Sequence, residues 1–200
     1  MSDSARLPPV AVEHWTESTR TVLEAHLRRP ELYTGPDARP MPNVLGLLAN
    51  QVPIGAGWLA FNNVLATEST IDDRLRELIV LRVSWLTRSA YGWNQHQRLG
   101  LLAGLTEGQL ESIADGPTAD LWDAVERAVL VATDQMVERH TVDDQAWATL
   151  SDHFSPSQLL ELLFVAGSYL CFAVICNAAD LRPDQSTAAR HHLDSATLST

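Results

Sequence analysis

Glu77 and His96 are the two residues of this sequence whose types and positions best suit acid–base chemistry. Glu77 lies on the side of a predicted helix that also carries Val80 and Leu81, which is an unfavourable place for a solvated charge. His96 lies on the apolar stripe of the next predicted helix, so both side chains are expected to point inward. A carboxylate and an imidazole on facing helices can exchange protons with a bound substrate. A structural explanation stays open, because such a histidine is often a core residue and Glu77 could pair with a neighbouring arginine at the surface.

Aromatic and amide side chains gather at the bend between these two helices, as Tyr91, Trp93, Asn94 and Gln95. Their hydroxyl, amide and ring groups could enclose and bind a small ligand. Ordinary packing at a helix turn would use the same residue types, so this assignment also has a structural alternative. We expect no metal site, because no further histidine follows at the HxxxH or HxxE spacing that would complete a ligand set.

These groups must be positioned by two helices joined by a bend. The sequence of residues 70–104 predicts such a helix pair. Thr70 and Asp73 have the spacing of an N-terminal cap, and apolar residues then recur at helical spacing up to a bend at residues 87–92. Gly104 is a natural stop for the second helix.

Helical patterns also cover most of the remaining chain. They lie at residues 10–29, 43–50, 53–67, 106–114, 119–139, 142–154 and 156–180, and no segment alternates with the period of two that predicts a β-strand. We therefore predict an all-α fold of about eight helices around the central pair. It forms a single domain over residues 1–182, of which 1–42 are an N-terminal extension, and residues 183–200 are a polar C-terminal tail.

The last predicted helix is apolar on all sides. No charge interrupts residues 162–176, but the run is shorter than the ~20 residues that a bilayer needs, so we predict no membrane span. A helix of this kind is typically buried in a core or in a subunit interface. Because one small subunit is not expected to cover it completely, we predict an oligomer.

Composition narrows the range of functions. The net charge of −11 over 200 residues disfavours binding to nucleic acid and to anionic membranes. All 14 basic residues are arginine, so Schiff-base and pyridoxal-phosphate chemistry lacks the lysine amine that it needs. Cys171 and Cys176 point to different faces of one helix, so we expect no disulfide between them. The first residues lack the apolar segment of a signal peptide, which predicts a cytoplasmic location.

The segment RLRELIVLRVSWLTRSAYGWNQHQRLGLLAGLTEGQLESI resembles the core motif of the carboxymuconolactone decarboxylase and AhpD-like family. That family has a glutamate followed, after a spacer, by Cys-x-x-Cys-x-x-x-His, or by a cysteine-free variant of it. Here Glu77 and His96 take the glutamate and histidine positions, and Ser89 and Gly92 fall where the two cysteines would be. The YGW segment resembles the YEW of the non-peroxidase members, with Gly92 in place of the acid.

The resemblance, which extends over residues 43–181, implies an AhpD-like helical subunit that assembles into a homotrimer or homohexamer. It implies catalysis by Glu77 and His96, and we expect Tyr91 to join them by donating a hydrogen bond to a developing oxyanion. A small-molecule substrate is then expected against Trp93, Asn94 and Ser89. Loss of the acid at position 92 is expected to open space beside Tyr91.

The implied function is that of an enzyme that uses acid–base chemistry without a cofactor. Its substrate would be a small carbonyl or carboxylate compound, and its reaction a decarboxylation, isomerisation, cyclisation or elimination. The alternative is a non-catalytic ligand-binding or assembly protein on the same scaffold. Thiol peroxidase activity is not expected, because a serine and a glycine cannot carry out thiol–disulfide exchange.

Overall fold

Helices form the regular structure throughout the described residues, so the predicted all-α class is confirmed. The computed structural model describes residues 5–27, 30–33, 36 and 38–184, and within them the backbone forms nine α-helices and no strand. The helices are α1 (Glu17–Glu24), α2 (Asn43–Leu48), α3 (Val52–Thr67), α4 (Asp73–Leu86), α5 (Ala90–Leu102), α6 (Glu107–Ser112), α7 (Ala124–Arg139), α8 (Asp144–Ser151) and α9 (Pro156–Ala179). Short 3-10 turns lie at Val12–His14, Pro30–Tyr33, Ala49–Gln51 and Gly116–Thr118.

The chain divides into two compact units. Ser69–Asn177 belongs to one, which contains the predicted central pair as α4 and α5. The described residues up to Glu68 and from Ala178 onward belong to the other. The single domain over residues 1–182 stays a prediction. Of the predicted polar tail, residues 185–200 lie outside the described part of the chain.

In the unit that contains the N-terminal helices, α3 packs against α1 and α2, and Trp15, Leu23 and Leu45 form a buried cluster. The single helix predicted over residues 10–29 is wrong in its extent, because a 3-10 turn and α1 share that segment. Thr16 begins α1 by accepting a hydrogen bond from the backbone N–H of Thr19 at 3.1 Å. Because the backbone of Thr16 is extended, the 3-10 turn at Val12–His14 does not continue into α1.

The helix that carries Glu77 lies at the centre of the other unit. α4 packs against both α5 and α7, and every residue from Arg76 to Ser84 is buried. A cluster of large side chains surrounds it, each contributing about 1.5–3 kcal/mol through burial of its apolar surface. Its buried members are Leu78, Leu81, Trp93, Leu105, Leu110, Ile113, Trp122 and Leu130.

Asp72 caps the N-terminus of α4. Its carboxylate accepts a hydrogen bond from the backbone N–H of Arg74 at 2.7 Å. The predicted cap formed by Thr70 and Asp73 is wrong, because the Thr70 hydroxyl donates instead to Glu161 Oε2, at 2.7 Å. Capping boxes begin α6 and α9, formed by Thr106 with Gln109 and by Ser155 with Gln158.

Glu161 connects α9 to the segment that precedes α4. Its carboxylate accepts hydrogen bonds from the Ser69 hydroxyl and from both the hydroxyl and the backbone N–H of Thr70. Burial favours the neutral acid, but these hydrogen bonds outweigh it and hold the pKa of Glu161 below its ordinary value of 4.5. A carboxyl group whose pKa is lowered by folding stabilises the fold above its unfolded-state pKa. That contribution disappears as the pH falls through the folded-state pKa.

We therefore expect Glu161→Gln to reduce the free energy of unfolding at neutral pH. The difference from wild type should shrink as the solution is acidified below the ordinary glutamate pKa, since the wild-type carboxylate is then protonated too. Urea unfolding at several pH values measures this. Glu111→Gln is the control, because Glu111 is exposed on α6. A deficit in Glu161→Gln that is equal at every pH would contradict the assignment.

Two helical stretches, Asn43–Thr67 and Pro156–Ala179, are long and apolar enough by length and composition to cross a bilayer. The core helix of a soluble protein meets the same criterion, so these two stretches do not by themselves indicate a membrane protein. α9 buries Val165, Ala166 and Ala173 within the protein. The fold is of the soluble helical type, and the cytoplasmic location stays a prediction.

Candidate active site

Glu77 and His96 lie together between α4 and α5, as their positions in the sequence predict. Glu77 Oε2 and His96 Nδ1 are 2.7 Å apart, and the two residues are only 5% and 9% exposed. Both helices present these side chains from their buried faces. The structure thus brings the predicted acid and base into direct contact, while their catalytic role stays a prediction.

The bond to Glu77 determines which ring nitrogen of His96 can react. When the carboxylate is ionised it can only accept, so Nδ1–H donates to it and the neutral imidazole carries its proton on Nδ1. Nε2 is then the nitrogen that can accept a proton. Glu77 also stabilises the imidazolium that forms when Nε2 takes one up. This geometry suits His96 for proton transfer and Glu77 for orienting its ring, and both roles stay a prediction.

A buried arginine lies beside the second oxygen of Glu77. Arg76 Nη2 is 3.7 Å from Glu77 Oε1, and Arg76 Nη1 donates to Asp73 Oδ1 at 2.6 Å. A surface pair between Glu77 and an arginine is therefore wrong, because both side chains are buried. The sequence interpretation missed Arg76 as part of the site, since an arginine next to a helix start usually lies in solvent.

Aromatic rings from α9 cover the other side of the imidazole. The Tyr169 ring meets the His96 ring edge to face, with centroids 5.0 Å apart. Phe172 lies 6.5 Å from Tyr169 and 6.2 Å from Tyr91, so the three rings form a connected group. The sequence interpretation found Tyr91 but missed Tyr169 and Phe172. The signal for Tyr169 was a hydroxyl-bearing ring in an otherwise apolar helix.

Trp93 lies in the hydrophobic cluster around α4. Its ring is 5.6 Å from that of Trp85, and within the described residues its indole N–H has no hydrogen-bond partner. Ser89 is fully buried and caps α5, accepting from the backbone N–H of Gly92 at 3.4 Å. Asn94 is half-buried on α5. Substrate binding by Trp93, Asn94 and Ser89 stays a prediction.

The bend between α4 and α5 is held by backbone and side-chain hydrogen bonds. The backbone N–H of Ser89 donates to the carbonyl of Ser84 at 2.8 Å, and Arg88 adopts a left-handed conformation with φ of 54°. Asn177 of α9 donates its amide to the carbonyl of Thr87 at 2.7 Å. These bonds satisfy carbonyls that the end of α4 would otherwise leave free, and they fix where α5 begins.

Gly92 allows α5 to approach α4 closely. A Cβ atom at this position would lie 2.7 Å from Ser84 Oγ and 3.2 Å from Ser89 Oγ. The expectation that Gly92 opens space beside Tyr91 is therefore wrong, because the Ser84 hydroxyl already occupies it. In this chain the same contact would obstruct a glutamate at position 92, as in the YEW segment, or a cysteine there, as in the thiol members.

We expect Gly92→Ala to lower the free energy of unfolding by about 1–3 kcal/mol, the usual cost of overpacking. Adding Ser84→Ala should restore most of the loss, because the nearest remaining Ser84 atom would be Cβ, at 3.6 Å. Urea unfolding of both single variants and the double variant gives the coupling. Gly57→Ala on α3 is the control, since nothing lies within 4 Å of its added Cβ. Wild-type stability of Gly92→Ala would disprove the close contact.

Within the described residues, no group of three or more histidine, cysteine, aspartate or glutamate side chains could hold a metal ion. Two cavities of about 440 and 500 Å³ lie away from this pair, in the unit formed by Ser69–Asn177. One lies between α7 and α8, and the other lies beside His140 and Trp147. Neither is lined by Glu77 or His96.

Residues 53–135, which include Glu77 and His96, match the model of the carboxymuconolactone decarboxylase family. No curated protein matches the chain. Among solved structures, an uncharacterized peroxidase-related protein from Silicibacter sp. TM1040 is 18% identical, with a TM-score of 0.77 over 95% of this chain and 98% of that chain.

A second such protein, an alkylhydroperoxidase AhpD core from Ralstonia eutropha JMP134, is 17% identical, with a TM-score of 0.76 over 94% and 96% of the two chains. The debrominase Bmp8 bound to 2,3,4-tribromopyrrole is 14% identical, with a TM-score of 0.74 over 94% of this chain and 96% of its own. The predicted AhpD-like helical fold is confirmed by these structures.

Proposed function

Because residues 53–135 match the carboxymuconolactone decarboxylase family and the fold is AhpD-like, we propose that the chain is a cofactor-independent acid/base enzyme of this family. Its substrate is a small carbonyl or carboxylate compound, and its reaction is of the lyase or isomerase type. The observation that carries the proposal is the buried 2.7 Å contact between Glu77 and His96. A buried acid–imidazole pair is suited to moving protons at neutral pH.

In the proposed mechanism His96 Nε2 removes a proton next to the substrate carbonyl and later returns it to the product. Glu77 holds the ring and balances the charge of the imidazolium. Tyr91 donates to the oxygen on which negative charge develops, and the rings of Tyr169 and Phe172 exclude water on the side of α9.

Thiol chemistry is not part of this proposal. The positions of the two family cysteines are occupied by Ser89 and Gly92. Burial raises the pKa of the Cys176 thiol to about 12, so that thiol carries almost no thiolate at neutral pH. Cys171 is exposed on α9 and lacks a resolving cysteine at the C-x-x-C spacing.

Proton exchange in heavy water tests the proposal before the substrate has been identified. The protein is incubated in D2O with a panel of small ketones, lactones and carboxylates, and NMR follows loss of the protons next to each carbonyl and any new product. We expect wild type, but not His96→Gln, to catalyse exchange or conversion of at least one compound. If no compound reacts faster with wild type than with His96→Gln, the ligand-binding or assembly alternative is favoured.

We also propose that neighbouring copies of the chain cover the exposed side of α9, giving the predicted homotrimer or homohexamer. Leu160, Phe164, Val174 and Ile175 are large apolar side chains that are exposed on this helix. These four residues form an uncharged stripe on a chain that is acidic overall. An uncharged apolar surface suits contact with the same surface of another copy better than contact with a positively charged partner.

Light scattering is expected to report at least a trimer at micromolar concentration. Phe164→Glu should dissociate it while leaving the helical circular dichroism unchanged, because Phe164 is exposed in the subunit. Leu121→Glu, an equally exposed apolar position before α7, is the control and should leave the assembly intact. A monomeric wild type would contradict the proposal.

A further inference from the structure

We propose that Arg76 is a positioning residue that keeps Glu77 ionised and thereby sets the tautomer of His96. The inference rests on the proposed function, since it assigns a role within the same acid–base pair. It concerns a residue that touches neither the imidazole nor, in the mechanism above, the substrate.

The burial of the three charged partners shows where the charge of Arg76 is balanced. The side chains of Arg76 and Glu77 are 9% and 6% exposed, whereas that of Asp73 is 69% exposed. A pair with an exposed carboxylate contributes little, because water screens it. A buried guanidinium needs a compensating charge nearby, and Glu77 is the buried carboxylate within reach.

The two oxygens of Glu77 face two different partners. Oε2 accepts from His96 Nδ1 at 2.7 Å, while Oε1 lies 3.7 Å from Arg76 Nη2, an ion-pair contact that is too long for a hydrogen bond. Asp73 holds the other end of the guanidinium at 2.6 Å. The carboxylate is therefore fixed between a cation and a ring, with one oxygen directed at each.

Two acids of the neighbouring helix α7 are bound to other arginines. α7 packs on α4, where its Glu126 pairs with Arg74 at 2.6 Å and its Asp134 pairs with Arg82 at 2.6 Å. α9 presents the ring of Tyr169 to His96. The charged groups that face the Glu77 carboxylate in the described ion pairs are thus Arg76 and, when protonated, His96.

Loss of the cation would change how Glu77 and His96 share a proton. Without Arg76, burial favours the neutral carboxylic acid over the carboxylate. A protonated Glu77 donates to Nδ1 rather than accepting from it, and the neutral ring must then carry its proton on Nε2. An Nε2–H imidazole cannot accept a proton from a substrate at that atom. Arg76 therefore maintains the tautomer that the proposed mechanism needs.

Nitrogen-15 NMR of histidine side chains tests this without a substrate. His96 is observed after the pH has been raised until its nitrogen shifts are those of a neutral ring, in wild type and in Arg76→Gln, Arg76→Lys and Asp73→Asn. We expect Nδ1–H in wild type, a shift to Nε2–H in Arg76→Gln, and retention of Nδ1–H in Arg76→Lys. Asp73→Asn should also keep Nδ1–H, because Glu77 and not the exposed Asp73 is the decisive partner.

The outcomes separate the inference from the proposed function. Nδ1–H in wild type and in folded Arg76→Gln would overturn the role of Arg76 while leaving the acid–base pair intact. Nε2–H in wild type would overturn both. Arg76→Met, similar in length and without a polar end, is the second variant should Arg76→Gln not fold, and Nδ1–H in it counts equally against the role. A switch to Nε2–H in Asp73→Asn, a surface change, would show that Asp73 controls the tautomer and would also overturn the inference.

Discussion

Replacing His96 with glutamine is expected to lower kcat about 10²–10⁴-fold, the usual contribution of a general acid or base. Glu77→Gln should lose a comparable factor, because a glutamine can donate to Nδ1 and stabilise the unproductive tautomer. If the two residues act as a unit, the double variant should be little slower than either single one. Turnover of the substrate identified by proton exchange, with assembly state checked for each variant, measures all three effects.

His153→Gln is the matched control, since it makes the same substitution at an exposed histidine after α8. It should leave kcat unchanged. Near-wild-type rates in both His96→Gln and Glu77→Gln would show that the buried pair is structural, and the acid–base proposal would then fail even if the family assignment stands.

The contact between Glu77 and His96 could be predicted because it depends on local periodicity. Helical spacing of apolar residues puts each side chain on the buried face of its own helix, and a short bend between two helices makes those faces meet. The capping boxes are equally local, since both partners lie within four residues. The family resemblance indicated which acid and which imidazole matter, while the residues themselves indicated that both are inward.

The partners that come from distant parts of the chain could not be predicted in this way. Tyr169 and Phe172 reach His96 and Tyr91 only because α9 packs there, and an apolar helix does not show in its sequence which ring meets which neighbour. The packing of Trp93 could not be predicted from its position either. It lies next to the bend in sequence, but its ring faces the cluster around α4.

Burial of charge and close backbone approach were also invisible in the sequence. Arg76 is a charged residue in the first turn of a helix, a position that is normally solvated, and only the packing of the surrounding helices buries it. Gly92 suggested missing volume, whereas the structure shows that Ser84 fills the space. A small residue indicates either a cavity or a close contact, and the neighbouring helix decides between them.

Arg82 is expected to be the most damaging single position for stability outside the site. Its Nε and Nη2 donate to the two oxygens of Asp134 at 2.6 and 2.8 Å, and its Nη1 donates to the carbonyl of Ile113 at 2.6 Å. The side chain is buried where α4, α7 and the end of α6 meet. Arg82→Met removes the cation and leaves Asp134 without its partner, so we expect a loss of about 3–5 kcal/mol in the free energy of unfolding.

Urea unfolding of Arg82→Met, Asp134→Leu and the double variant measures that loss and its cause. Because much of the cost comes from the charge left behind, the double variant should be more stable than the sum of the single losses predicts. Arg139→Met is the control, since the pair of Arg139 with Asp143 is exposed and its loss should cost less than about 1 kcal/mol. If Arg82→Met costs no more than Arg139→Met, the bidentate pair is not a structural link between α4 and α7. Additive losses in the double variant would instead assign the cost to packing and to the freed Ile113 carbonyl.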